Sequence, residues 1–136
     1  MDRWAGRGDK PVMDQPRILV IDDDAIFRKL AGIALGSVGL EVVACADGTS
    51  AEAALAAGGF AVLVLDLEVP GLDSFAMIAA VRASGAGDMP VIVCSGRTDA
   101  QSRDRALACG AAEFVSKPVD WRAFPARVQA LVRPHV

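Results

Sequence analysis

Two hydrophobic periods alternate along this chain. Short continuous apolar runs fall at 17–21, 40–45, 60–66, 91–95 and 113–116. Runs of this length, bounded by turn residues, read as buried strands. Between them lie segments with apolar residues at helical spacing: 25–38, 49–57, 74–83, 100–109 and 121–132. In the first helix Ile26, Leu30, Ile33, Ala34 and Val38 are expected to face the core, and Gly39 to stop it. In the third, Phe75, Ile78, Ala79 and the stem of Arg82 are expected inward. Gly58-Gly59 and Gly110 close the second and fourth. The last helix admits two starts. It begins at Trp121 with Asp120 as N-cap, or after a short turn with Pro125 at its first position.

Strands and helices alternate five times with short connections. This predicts an α/β fold: a parallel sheet with right-handed crossovers and helices on both faces. Strands one and three are apolar on both faces and therefore central, whereas the more mixed strand two is an edge. Residues 1–15 mix charge, Gly and Pro without periodicity and are expected to form a flexible tail before a single domain over 16–136.

Composition narrows the function. A hydrophobic fraction of 53% argues against disorder, and a net charge of −3 leaves no footprint for nucleic acid. No apolar run approaches the ~18 residues of a membrane span, and no signal peptide is visible. Cys45, Cys94 and Cys109 are odd in number and lack metal spacing. They read as small buried hydrophobes in a reducing cytoplasm. His135 stands alone near the C-terminus and is expected to be solvent-exposed.

The polar residues that end the strands carry the chemistry. Strand one stops at Asp22-Asp23-Asp24, strand three at Asp66, strand four at Ser95 and strand five at Lys117-Pro118. In a parallel sheet these ends share one edge, where ligands bind. Asp22, Asp23 and Asp66 would repel one another there, and Mg²⁺ relieves such repulsion. A carboxylate nucleophile, a divalent cation, a hydroxyl and a lysine are the parts needed to accept a phosphoryl group. Each residue alone has a plainer reading. The Asp22-Asp23-Asp24 acids suit a helix N-terminus, Asp24 above all; Ser95 suits a strand-end cap and Lys117 a solvated charge. The signal is the joint pattern, in order, each member at a strand end.

With these residues in view, the chain resembles the receiver domain of bacterial two-component response regulators, of the single-domain type. The resemblance spans about Arg17 to Arg133. It rests on Ile18-Leu19-Val20-Ile21-Asp22-Asp23-Asp24, on Leu63-Val64-Leu65-Asp66 through Gly71-Leu72-Asp73, on Val91 through Gly96, and on Gly110 through Pro118. It implies a flavodoxin-like, doubly wound, five-stranded parallel sheet of order 2-1-3-4-5. It further implies Asp66 as phosphoacceptor and Asp22 and Asp23 as the acids that hold Mg²⁺, with the Glu68 backbone carbonyl as a further ligand. Ser95 would be the switch hydroxyl, Lys117 the phosphate-pairing lysine and Phe114 the aromatic switch. The implied donor is a sensor histidine kinase or phosphotransfer protein. The implied readout is a changed surface of helix four, strand five and helix five, met by an unidentified output protein. The implied state is a monomer or a phosphorylation-dependent dimer, and no nucleic-acid or membrane partner is expected.

Three positions depart from the family pattern. Glu68 adds a carboxylate two residues after Asp66. Ser74 replaces a usual Gly, and its β-carbon resists positive φ, so the loop before helix three is expected to differ. Arg97 is placed to pair with Glu68 or to be solvated, and solvation is the expectation. The chief rival is an aspartyl phosphatase resembling the haloacid dehalogenase family, for which Glu68 loosely matches a second acid. There the acidic pair comes last in the chain, and here it comes first. A flavodoxin-like electron carrier would need a phosphate loop after strand one. The chain ends soon after helix five, which suggests a stand-alone regulator or a piece excised from a hybrid kinase or other larger protein. Arg103, Asp104 and Arg105 on helix four read as a solvated face.

Overall fold

A computed structural model describes residues 15–85 and 87–132. The expectations for the N-terminal tail up to residue 14 and for His135 lie outside these residues. The elements alternate as β1 (Arg17–Ile21), α1 (Ala25–Gly36), β2 (Glu41–Cys45), α2 (Gly48–Ala57), β3 (Val62–Leu65), α3 (Ser74–Ala83), β4 (Val91–Ser95), α4 (Ala100–Cys109), β5 (Glu113–Ser116) and α5 (Phe124–Leu131). All pairings are parallel, in the order β2-β1-β3-β4-β5. This is the expected doubly wound sheet.

Two apolar layers cover the sheet. Leu19, Ile21, Leu63, Leu65, Val91 and Val93 point to the side of α2, α3 and α4. Ile18, Val20, Val62, Val64, Ile92 and Cys94 point to the side of α1 and α5. Alternate residues of one strand thus serve opposite cores, which is why β1, β3 and β4 read as unbroken apolar runs. The outer strands β2 and β5 are less buried. Cys45 and Cys94 are buried and Cys109 partly so; all three are free thiols.

Helix α1 is rotated from its expected setting. Phe27, Ala31 and Leu35 face the core, whereas Ile26, Leu30, Ile33 and Val38 are exposed, Ile26 by 69%. The segment carries two apolar stripes at helical spacing. The one with a small residue at its centre, Ala31, lets the helix lie close on the sheet. In α3, Met77 is buried in place of the expected Ala79. The Arg82 stem does pack inward, against Gly110, where a β-carbon would lie 2.5 Å from Arg82 Cγ.

Helix α5 comes near the second start: residues 121–123 form a turn, and Phe124 opens the helix with Pro125 second rather than first. Asp120 caps that turn rather than the helix, accepting from the Arg122 amide at 3.0 Å. The other four helices carry aspartate N-caps, Asp24, Asp47, Asp73 and Asp99, each accepting a backbone N–H.

Candidate functional site

Strand register assembles the site. Ile21 pairs with Leu65, so Asp22 and Asp66 leave adjacent strands side by side. Ser95 pairs with Ser116, so Lys117 leaves β5 beside Ser95. The Lys117 amide donates to the Ser95 carbonyl at 2.9 Å, and the Asp66 amide to the Ile21 carbonyl at 3.0 Å. The sheet ladder thereby runs up to Asp66 and Lys117 and fixes their backbones. The Lys117–Pro118 bond is cis.

Three acids and a lysine converge there. Carboxylate oxygens of Asp22, Asp23 and Asp66 lie within 4.8 Å of one another. Asp22 and Asp66 are buried while Asp23 is exposed. The Lys117 ammonium is 2.7 Å from Asp22 Oδ2 and 3.6 Å from Asp66 Oδ1. The remaining Asp22 oxygen accepts the Asp24 amide at 2.9 Å, and Arg28 donates to the Asp22 carbonyl at 2.9 Å. Asp24 is occupied as the cap of α1, accepting from the Ile26 amide at 2.9 Å.

Electrostatics separate the roles. Burial pushes the Asp66 carboxyl up to about 6, and Asp22 adds like-charge repulsion, against the opposing pull of Lys117 and of the Glu68 and Leu67 amides. Burial alone would lower Lys117, but the hydrogen bond to Asp22 and the charge of Asp66 outweigh it and hold the ammonium above its ordinary value. By distance Asp22 is the lysine's tight partner, at 2.7 Å, and Asp66 the more distant one, at 3.6 Å.

Ser95 is fully buried, and its Oγ accepts the Arg97 amide at 3.0 Å. Phe114 is half-buried and packs against the core on the α4 side. The expected solvation of Arg97 is corrected: its Nε lies 3.2 Å from Glu68 Oε2, joining the loops after β4 and β3. Both side chains are substantially exposed, so the pair contributes little to stability.

Ser74 was expected to alter the loop before helix three, and its contact with Asp66 was not foreseen. It opens α3 with helical backbone, so its β-carbon meets no positive φ; that conformation falls at Gly71 (φ 72°) instead. Its buried hydroxyl donates to the Asp66 carbonyl at 2.7 Å. A hydroxyl directly after the N-cap Asp73 was the available signal.

Comparison with known proteins agrees with this geometry. The profile of the response regulator receiver domain matches residues 18–129. The chain belongs to the response regulator receiver family. Similar curated proteins include the transcriptional regulatory protein AruR of Pseudomonas aeruginosa, 32% identical over 87% of this chain and 50% of AruR. The transcriptional regulatory protein CseB of Streptomyces avermitilis is 33% identical over 88% of this chain and 50% of CseB. The receiver chain spans about half the length of these curated relatives. Among solved structures, chemotaxis response regulator CheY4 of Vibrio cholerae shares the fold at a TM-score of 0.79. It is 24% identical, covering 86% of this chain and 98% of CheY4. Receiver membership sets aside the phosphatase and electron-carrier alternatives.

Among the described residues no helix is long and apolar enough to cross a membrane.

Proposed function

We propose that this receiver domain accepts a phosphoryl group on Asp66 from a phosphohistidine of a sensor histidine kinase or phosphotransfer protein. An Asp66 carboxylate oxygen attacks phosphorus, the P–N bond breaks, and the imidazole leaves with the electron pair. The observation that carries this reading is the placement of Asp66. It is a buried acid beside two further acids and 3.6 Å from a lysine ammonium. Burial strips the nucleophile of water, while Lys117 supplies a fixed positive charge for the transferring oxygens.

The donor set fits a hard divalent cation: three carboxylates with oxygens within 4.8 Å of one another, at an edge open to water through exposed Asp23. Asp22, Asp23 and Asp66 would hold Mg²⁺, with the Glu68 backbone carbonyl as a further ligand. When bound, the ion neutralises charge on the phosphoryl oxygens. The apolar stripe of Ile26, Leu30 and Ile33 on α1 begins two residues after Asp24, beside the site. It offers a docking surface to the donor.

The switch would run through Ser95 and Phe114. Ser95 leaves its bond with the Arg97 amide for a phosphoryl oxygen, and Phe114, half-buried in the resting state, turns inward beneath α4. The surface of α4, β5 and α5 changes, and an output protein reads it. The domain supports its own phosphorylation and dephosphorylation and acts in the cytoplasm as a monomer or phosphorylation-dependent dimer.

Intact mass after incubation with a small-molecule phosphodonor tests the reading. A phosphoryl adduct is expected with Mg²⁺, absent with chelator and absent in Asp66→Asn. A folded parent that gains no adduct under any condition contradicts it.

A further inference from the structure

The site lysine has an aromatic neighbour besides its carboxylate partners. Its ammonium pairs with Asp22 at 2.7 Å and also sits 4.4 Å from the centroid of the Phe27 ring. Phe27 belongs to the buried face of α1 and is 7% exposed. Its ring packs against Trp121 at 5.1 Å between centroids, tilted by 58°. Trp121 in turn meets Phe124 edge-on at 5.7 Å and 83°. Phe124 is buried and opens α5. An aromatic chain therefore runs from the lysine to the start of α5.

A lysine has a flexible four-carbon stem and a compact charge, so the carboxylates of Asp22 at 2.7 Å and Asp66 at 3.6 Å attract its head without ordering its stem. The negative face of an aromatic ring attracts that charge as well. An aliphatic side chain of similar bulk fills the same space without this attraction. We propose that Phe27 is a positioning residue for Lys117. Its ring, backed by Trp121 and Phe124, keeps the ammonium aimed between Asp22 and Asp66, and Trp121 senses what the lysine contacts. The consequence for transfer rests on reading Lys117 as the phosphoryl-pairing lysine; the contact with Trp121 does not.

Two readouts in a Trp4→Phe chain, which leaves Trp121 as the single tryptophan, test this. First, in the resting protein, Lys117→Met is expected to alter Trp121 emission when Phe27 is present and to leave it unchanged in Phe27→Leu. Second, Phe27→Leu is expected to slow phosphoryl transfer to Asp66 from a small donor by roughly three- to ten-fold. No further loss from Phe27 is expected once Lys117→Met is in place. Phe27→Met, of similar volume but longer and more adaptable, serves should the leucine variant unfold. Emission indifferent to Lys117→Met, or an aliphatic variant that transfers as fast as the parent, overturns the proposal. A parent that takes no phosphoryl group at all defeats the reading of Lys117 instead, and the emission comparison then decides the role of Phe27.

Discussion

Asp66 stores a pH dependence that can be worked out in sign. Its carboxyl titrates at about 6 in the fold against 3.8 as a free side chain. Between these values the native state keeps a proton that the unfolded chain has lost. The group's contribution to stability is therefore full below pH 3.8 and is lost as pH rises through 6. Asp66→Asn removes the ionisation and keeps the shape. In chelator at pH 7.5 it is expected to be more stable than the parent by on the order of 2 kcal/mol, the gap closing toward pH 4. Urea unfolding across this range checks it; a variant no more stable than the parent at neutral pH contradicts it. Glu68 acts from outside. Its exposed carboxylate adds negative charge two residues after Asp66, the proposed phosphoacceptor, offset by Arg97 at 3.2 Å. Glu68→Asn is expected to lengthen the lifetime of the phosphorylated form and to weaken Mg²⁺ binding, each by about three-fold at low salt. Equal lifetimes in variant and parent would sink that account. At this scale the sequence was legible wherever a strand end fixes direction: Asp22, Asp66, Ser95 and Lys117 all fall where their strands stop. The Arg97–Glu68 pair was foreseen only as the alternative to solvation, and the partner of the Ser74 hydroxyl was not foreseen, because both depend on how two loops approach each other, which no periodicity encodes.

The helices show where patterns become ambiguous. Strands β1, β3 and β4 are apolar on both faces, so no choice of face had to be made. Helix α1 carries one stripe through Ile26, Leu30 and Ile33 and another through Phe27, Ala31 and Leu35, and hydrophobicity alone favours the bulkier first. Packing decides otherwise, because a fully buried alanine permits close approach to the sheet. The two stripes should therefore respond differently to truncation. Leu35→Ala, at a fully buried position, is expected to cost about 2–4 kcal/mol. Ile33→Ala, at a 61% exposed position, is expected to stay within about 0.5 kcal/mol of the parent. Equal losses in denaturant titrations would mean that α1 packs by its other face. Helix α5 was legible only as two alternatives. Pro125 lacks an N–H and suits a first turn, which the structure adopts, with Asp120 drawn into the turn ahead of it.

Across the whole molecule, parallel order β2-β1-β3-β4-β5 gathers at one edge residues that lie far apart in the chain, and Lys117 reaches an aspartate 95 positions away. That convergence was readable from the alternation of strands and helices, because parallel strands must send their carboxyl ends the same way. The account stands on the claim that this edge delivers a phosphoryl group to Asp66 and not to its acidic neighbours. Borohydride converts an aspartyl phosphate to homoserine, which peptide mass spectrometry can place on a residue. Protein loaded from a small phosphodonor with Mg²⁺ and then reduced is expected to carry homoserine at position 66 alone. Homoserine at position 22 or 23, or none in a folded and loaded sample, would contradict the account.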